Sequence, residues 1–319
     1  MRKIMARAAV AAVLMASVGS TPALAHDNHD NLMDLDTLMT TFGWNMDRAV
    51  IRTEKVTDQL YVLFGLGGNI GVSVGPQGVL IVDDQFPELI PKIGDAIREI
   101  GGGSVDFAIN THWHFDHAEG NLALGPGGTM IVSQANSREM MLGDHVINLV
   151  LAQYEQKAYP ETALPVITYD DTMQLHFNER IELHHFGPAH TTGDTAIIFR
   201  GSNAVHLGDV FNRGYPFIDA DNGGDITGMI KFCEEVLATI NEDTVVIPGH
   251  GEISDYAGLK DYVAMLKDVR GQIAKMIKRG KTLEEVGNAS VTKKYDRQYG
   301  DPRGFVNRVY ASLSREMGK

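Results

Sequence analysis

Residues 112–117 read His112-Trp113-His114-Phe115-Asp116-His117 and follow an apolar run, residues 105–110, that predicts a β-strand. Alternate residues of an extended segment point to the same side, so the first two histidines can converge on one metal ion. The aspartate and the last histidine then turn away from that ion and can reach a second one. Burying three imidazoles and a carboxylate without partners would cost several kcal/mol. The segment therefore predicts a metal site at the end of a strand.

Three further candidate ligands follow apolar strands later in the chain. His190 lies in the stretch Pro-Ala-His-Thr-Thr-Gly-Asp, Asp209 ends His-Leu-Gly-Asp, and His250 lies in Pro-Gly-His-Gly. Polar residues after strands fall in loops, where binding residues concentrate. Each also has an ordinary explanation when taken alone, because a histidine after a strand is commonly a hydrogen-bonded surface residue and Gly-Asp is commonly a turn.

These positions, in this order, resemble the ligand pattern of the metallo-β-lactamase superfamily. The resemblance runs from about Thr57 to about Leu266 and includes the strand end Val82-Asp83-Asp84. It implies an α/β (α+β) fold, a four-layer αβ/βα sandwich with two mixed β-sheets, helices on the outer faces and metals at one edge between the sheets. Strands with interspersed helices in two similar halves agree with such layers.

The resemblance also implies a ligand set. A first zinc would be held by His112, His114 and His190, and a second by Asp116, His117 and His250, with Asp209 bridging or facing both. Two zinc ions per subunit would turn a bound water into a nucleophile near neutral pH and stabilise the oxyanion that forms at an attacked carbonyl. Asp116 is in addition a catalytic candidate, which would orient that nucleophile and pass a proton to the leaving group.

One ligand departs from the pattern of mainstream metallo-β-lactamases. Those enzymes carry a cysteine where Asp209 stands and a lysine three residues later, where this chain has Asn212. The aspartate version is similar to glyoxalase II-like thioesterases and many lactonases, and a carboxylate makes Mn or Fe possible besides zinc. Hydrolysis of a β-lactam amide is the first choice. A lactonase or thioesterase with the same metals, an iron-dependent redox protein and a non-catalytic metal-binding protein are the alternatives.

Candidates for contact with a small-molecule substrate that carries a carbonyl are Phe86, Arg213, Tyr215 and Phe217. The three aromatic residues lie on predicted loops and are candidates for an apolar wall over the metals, with loop packing as the alternative. The arginine is a candidate partner for a substrate carboxylate, since a guanidinium binds carboxylates bidentately. His185 and His206 are candidates for hydrogen-bonding the metal ligands.

The N-terminus predicts export. Three basic residues among the first seven precede an apolar run, Ala8 to Val18, and the small residues Ala23-Leu24-Ala25, which is the layout of a secretory signal peptide over residues 1–25. A retained membrane anchor is the alternative, but the apolar run is too short to span about 30 Å comfortably. We expect a periplasmic or secreted protein without membrane attachment after cleavage, a location that suits defence against cell-wall antibiotics.

The rest of the chain divides into an N-terminal arm at residues 26–56, polar and irregular over residues 26–46, and one metallo-β-lactamase-like domain at residues 57–319. Within that domain, apolar spacing predicts helices over residues 87–100, 133–142, 226–240, 255–277 and 302–315.

The composition excludes several other classes. The 319 residues are 44% hydrophobic and 22% charged, which is typical of a folded chain. The single cysteine, Cys233, excludes an internal disulfide and a multi-cysteine zinc module. With 28 basic against 41 acidic residues the net charge is −13, which argues against nucleic acid as a partner.

Overall fold

The computed structural model describes residues 32–318, so the predicted signal peptide lies outside the described residues. The strands are β1 (Leu32–Met33), β2 (Arg52–Lys55), β3 (Leu60–Phe64), β4 (Ile70–Gly75), β5 (Gly78–Val82), β6 (Val105–Ile109), β7 (Met130–Gln134), β8 (His145–Asn148), β9 (Gln153–Gln156), β10 (Ile167–Tyr169), β11 (Thr172–Phe177), β12 (Glu179–His184), β13 (Ala196–Phe199), β14 (Ala204–His206), β15 (Val245–Ile247) and β16 (Ser254–Asp255). The helices are α1 (Leu35–Thr41), α2 (Ile90–Glu99), α3 (Phe115–Ala118), α4 (Asn121–Leu124), α5 (Ala135–Met141), α6 (Ile226–Thr239), α7 (Tyr256–Lys278), α8 (Leu283–Gly287), α9 (Asp296–Tyr299) and α10 (Arg303–Glu316).

Two mixed sheets form the centre of the molecule. The first has seven strands in the order β10-β7-β6-β5-β4-β3-β2, and the second has six in the order β11 to β16. In the first sheet β2 to β5 pair antiparallel, whereas β5, β6, β7 and β10 run parallel. In the second sheet β14 and β15 pair parallel and the other neighbours antiparallel. A small sheet, β1-β9-β8, accompanies them.

The buried clusters show how the layers stack. Leu80 of β5 and Phe199 of β13 belong to one cluster that lies between the two sheets. Side chains alternate along a strand, so the neighbouring Ile81 faces the other way and shares a cluster with Ile93 of α2. Ile198 likewise belongs to the cluster formed with α6, α7 and α10. Helix, sheet, sheet and helix follow one another, which confirms the predicted four-layer sandwich.

The prediction of an arm outside the domain is wrong for part of residues 26–56. Helix α1 lies within it and buries Leu38 completely, and β2 pairs antiparallel with β3 at the edge of the seven-stranded sheet. The domain therefore begins before residue 57. A helix of seven residues makes about two turns, which is too short for its apolar spacing to stand out in the sequence.

The longer predicted helices are confirmed, with ends that differ by a few residues. The helix predicted from residue 133 begins at Ala135, because residues 130–134 form β7. Within residues 32–318, none of the helices is long and apolar enough to cross a membrane.

Candidate metal centre

The seven predicted ligands lie at one edge of the two sheets, five of them in loops and two, Asp116 and His117, in the short helix α3. Those of the first segment follow β6 and begin the short helix α3, and the others follow β12, β14 and β15. The structure brings them into three overlapping groups, within each of which the ligand atoms lie within 4.8 Å of one another. The groups are His112, His114 and His190; His112, His117 and Asp209; and Asp116, His117 and His250.

The first group is a buried cluster of three imidazoles. Nε2 of His190 lies 2.9 Å from Nδ1 of His114, and the ring of His112 packs 4.6 Å from that of His190. Within residues 32–318, Nε2 of His112 is buried without a hydrogen-bond partner. Burial, and then the neighbouring imidazoles, lower the pKa of His112 well below its usual value, and burial lowers the pKa of His190 as well. Burial thus favours the neutral form of His112 and His190, which is the form that binds metal.

The third group, Asp116, His117 and His250, is called here the second cluster; it contains one carboxylate and opens to solvent. Nε2 of His250 lies 3.2 Å from Nε2 of His117 and 3.2 Å from Oδ2 of Asp116. The side chain of His250 is 37% exposed, whereas that of His117 is fully buried. A small molecule can therefore reach this cluster from the His250 side.

Asp209 lies between the two clusters. Its Oδ1 is 3.1 Å from Nε2 of His117, and its Oδ2 is 3.8 Å from Nε2 of His190. Burial alone would raise the pKa of Asp209, but His250 and His117 hold it well below its usual value, so the group is a carboxylate. A Cβ on Gly249 would stand 2.1 Å from Oδ1 of Asp209, so glycine is required there.

These donors fit two divalent ions. Imidazole nitrogens and carboxylate oxygens are ligands of zinc, and also of manganese and iron. Two nitrogens bound to one tetrahedral zinc lie about 3.3 Å apart, close to the separations within each cluster. In the described part of the chain, residues 32–318, the buried Nε2 of His112 has no hydrogen-bond partner, so it would be available to coordinate one of these ions.

The fold and this geometry agree with what is found in known proteins. A family model described as the metallo-β-lactamase superfamily matches residues 65–250. The chain belongs to the metallo-β-lactamase superfamily. A probable metallo-hydrolase of Methanocaldococcus jannaschii is 25% identical to it over 198 residues, which cover 60% of this chain and 91% of that relative.

Solved structures resemble this superfamily member in fold. The metallo-β-lactamase DIM-1 matches with a TM-score of 0.55 and 19% identity, over 68% of this chain and 97% of that one. A metallo-β-lactamase from Pontibacter korlensis matches with a TM-score of 0.57 and 14% identity, over 68% of this chain and 99% of that one. At such identities the likeness confirms the αβ/βα sandwich and says nothing of the substrate.

A buried carboxylate that the sequence analysis did not assign orients His117 in this superfamily member. Asp83 accepts hydrogen bonds from the backbone N–H and the hydroxyl of Thr111, at 2.7 and 2.8 Å, and its Oδ2 lies 2.7 Å from Nδ1 of His117. With Nδ1 engaged in this way, Nε2 of His117 points into the clusters. The signal in the sequence is the strand end at residues 82–84, where two aspartates follow an apolar run.

Asp219 is a second supporting residue that the sequence did not reveal. Its Oδ2 lies 2.9 Å from Nε2 of His114, which leaves Nδ1 of that ring for the first cluster. Two residues earlier, the carbonyl oxygen of Phe217 lies 2.8 Å from Nδ1 of His190. Asp219 stands in no motif with the histidine that it binds, so no local pattern could have identified it.

The loop that carries His250 is held from two sides. The amide of Asn69 donates to the carbonyl oxygens of Pro248 and Gly251, at 2.9 and 2.8 Å, and Asn212 accepts from the backbone N–H of His250 at 2.8 Å. The ring nitrogens of His206 contact the carbonyl of Asn69 at 2.9 Å and the backbone N–H of Gly208 at 3.2 Å, so the predicted hydrogen bond to a ligand is wrong and His206 supports the His250 loop through Asn69.

The other predicted supporting histidine, His185, lies 2.7 Å from the carbonyl of Asp194. Asp194 in turn accepts from the backbone N–H and the hydroxyl of Thr191, next to His190. His185 is thus also two contacts away from a ligand.

A glycine-rich turn, residues 65–69, packs against the second cluster. A Cβ on Gly68 would stand 2.2 Å from Cε1 of His117, and one on Gly67 would stand 2.3 Å from the carbonyl oxygen of Asp116. Glycine at these positions therefore lets the turn approach the ligands closely.

The four predicted substrate contacts do not all lie beside the metal centre. The ring of Phe217 is partly buried and lies 6.0 and 5.8 Å from the rings of His114 and His190. Arg213 is exposed, and its guanidinium donates to Ser254 at 2.8 Å.

The two remaining aromatic residues lie elsewhere. Tyr215 stacks on Phe305 and donates to Asp296 at 2.9 Å, so it belongs to the core beneath the C-terminal helices. Phe86 is fully buried among Trp44 and Phe115, and its predicted contact with a substrate is wrong because no part of the ring is accessible.

Proposed function

We propose that this protein is an exported dinuclear zinc hydrolase whose substrates carry a strained or activated carbonyl, with β-lactams as the first substrate class. The observation that carries the proposal is a buried three-histidine cluster joined by Asp209 to a second, solvent-open cluster. Zinc ions held there would supply a Lewis acid and a nucleophile near neutral pH, because zinc lowers the pKa of a coordinated water to about 7.

The difference in exposure between the two clusters supports different roles for their ligands. The first cluster is buried and would hold an ion away from bulk water, and a substrate would approach from the side of His250. Asp116, at the open cluster and 3.2 Å from His250, is placed to orient a water and to pass its proton to a leaving nitrogen or oxygen. Phe217, beside His114 and His190, offers an apolar surface to a substrate ring.

The four-membered ring of a β-lactam is strained, so its amide can be opened without specialised recognition. Asp116 and Asp209 offset only part of the charge of two divalent ions, and the remaining positive charge would stabilise an oxyanion. Neither point requires a residue beyond those that the structure brings together.

A lactonase or thioesterase is the second candidate. The observation in its favour is Asp209, whose carboxylate occupies the shared position between the clusters where a cysteine would narrow the choice of metal to zinc. Because all seven ligands offer nitrogen or oxygen atoms and none offers sulfur, manganese and iron are candidate metals besides zinc. The same ligand set makes an iron-dependent redox reaction the third candidate.

Export is supported by residues 1–25, with their basic start, apolar run and Ala-Leu-Ala end. N-terminal sequencing of protein from the periplasmic fraction or the medium tests it. A mature chain that begins at His26 is the expected result, and an intact N-terminus on cytoplasmic protein would contradict export.

A substrate panel tests the reaction. Zinc-, manganese- and iron-reconstituted protein is assayed on a penicillin, a carbapenem, an acyl-homoserine lactone and a thioester, with metal-free protein as the blank. We expect the highest kcat/KM for a β-lactam with zinc. The variant Asp116→Asn is expected to bind the second zinc more weakly, and to lose most of its turnover even when zinc is added until both sites are filled. Highest activity on the lactone or thioester would favour the second candidate, and no hydrolysis by zinc-loaded protein would overturn the hydrolase proposal.

A further inference from the structure

We propose that the C-terminal helix α10 supports the metal centre from outside, because its residues Arg308 and Arg315 position His114 and His190. They do so by holding the loop of residues 217–225, called here the clamp loop. The helix lies outside residues 65–250, the part that matches the family model. The inference rests on the proposed function, since it concerns how tightly the three-histidine cluster would hold its ion.

The clamp loop contacts both histidines at several atoms. The carbonyl of Phe217 lies 2.8 Å from Nδ1 of His190, and the backbone N–H of Asp219 donates to the carbonyl of His190 at 3.0 Å. The carboxylate of Asp219 lies 2.9 Å from Nε2 of His114. The direction of both imidazoles therefore depends on where this loop lies.

The clamp loop has little regular structure of its own. Its centre is a single 3-10 turn, Ala220–Asn222, followed by Gly223 in the left-handed region at φ +101°. Gly224 packs so closely that a Cβ would stand 2.3 Å from the carbonyl oxygen of His190. A loop of this kind keeps its position through the groups that it contacts.

Helix α10 supplies several of those groups from one of its faces, besides the contacts of the clamp loop with Val146, Asn148 and Ala189. Arg315 donates to the carbonyl of Ala220 and, at 2.7 Å, to that of Gly224, so it binds both sides of the turn. Arg308 pairs with Asp221 at 2.7 Å, and Ser312 accepts from the backbone N–H of Ile226 at 3.1 Å. The three helix residues are spaced by four and three positions, which places them on the same face.

The helix is well anchored for this role. Its apolar residues at successive turns are buried in the core with α6 and α7; these are Phe305, Val309 and Leu313. The polar face is therefore fixed relative to the six-stranded sheet. Side chains that bind metal ligands from the outer shell commonly change metal affinity by about 10–100-fold. Because the arginines act one contact further out, we expect about three- to tenfold for each.

The test uses the full-length mature chain in a His250→Ala background, in which the three-histidine cluster remains intact. Arg308→Ala and Arg315→Ala are added singly and together, and Arg315→Lys tests rescue, since lysine retains a charged donor. Arg303→Ala is the matched control, because this residue is on the same helix and its guanidinium pairs with Asp301. Zinc affinity is measured by competition with a chromophoric chelator, and hydrogen exchange is followed in the metal-free proteins.

We expect the zinc Kd to rise about tenfold or more in the double variant and to recover in part with Arg315→Lys. Exchange should accelerate at the amides of residues 217–225 and stay unchanged at residues 244–251. Equal zinc affinity in the double variant and its parent, or an equal loss in Arg303→Ala, would overturn the inference and leave the metal site standing. If the protein without these substitutions binds no divalent ion, the proposed function fails, and this inference fails with it.

Discussion

Replacing Asp83 with asparagine should weaken zinc binding at the cluster of Asp116, His117 and His250. Oδ2 of Asp83 receives both the hydroxyl of Thr111, at 2.8 Å, and Nδ1 of His117, at 2.7 Å, while Oδ1 receives the backbone N–H of Thr111 at 2.7 Å. The NH2 group of an asparagine at residue 83 would face a hydrogen-bond donor at the position of either Oδ1 or Oδ2, so one of these hydrogen bonds must be lost. A hydrogen bond to a charged group contributes about 1.5–3 kcal/mol. At about 1.4 kcal/mol per tenfold, zinc affinity should fall about ten- to hundredfold.

Chelator competition on the mature protein measures this loss, and the neighbouring Asp84→Asn is its control. Burial, and then the charge of Asp83, raise the pKa of Asp84 well above its usual value, and its side chain accepts from Asn110 rather than from a metal ligand. A neutral amide of the same shape should leave zinc affinity within about twofold. Wild-type affinity in Asp83→Asn would refute the reasoning. An equal loss in both variants would show general disruption of the strand end instead.

Three further predictions follow from the same contacts. Phe217→Ala should lower kcat/KM with little change in stability, whereas Phe86→Ala should lower the unfolding free energy by about 3–5 kcal/mol and leave KM unchanged. Urea denaturation and steady-state kinetics of both variants measure these effects. The opposite pattern would show that Phe86 does contact the substrate. Gly68→Ala should reduce zinc content by elemental analysis, because the methyl group would stand 2.2 Å from Cε1 of His117; full zinc content would contradict this. A hydrogen bond from Arg200 lowers the pKa of Glu182 to about 2. The free energy of unfolding of the wild type should therefore exceed that of Glu182→Gln by its full amount above about pH 4.3, and the difference should disappear as the pH falls toward 2. Urea unfolding of both proteins at pH 7 and pH 3 measures the difference. The same difference at both pH values would contradict a stabilising ion pair.

The sequence predicted the ligands because their spacing is local or their order is characteristic. His112 and His114 alternate at the end of a strand, and the later ligands each follow an apolar run. The resemblance then assembled residues from distant loops, and the structure brings the same seven side chains together.

The supporting residues could not be predicted because they depend on packing between distant segments. Asp219 reaches His114 from a loop that passes beneath α10, and only the fold places the two side by side. Phe86 and Phe217 are both aromatic residues on loops, so only the structure shows that one is buried in the core and the other lies beside the histidines. Short elements such as α1 and the β8–β9 pair carry too few residues for a clear period.

The central claim is that seven side chains of this chain hold two divalent ions. Anomalous diffraction at the zinc edge, from crystals of zinc-reconstituted protein, tests it most directly. Two peaks are expected, one about 2.0–2.1 Å from nitrogens of His112, His114 and His190, and one in contact with Asp116, His117 and His250. Absence of a peak at the three-histidine cluster, or zinc bound only at other side chains, would contradict the claim.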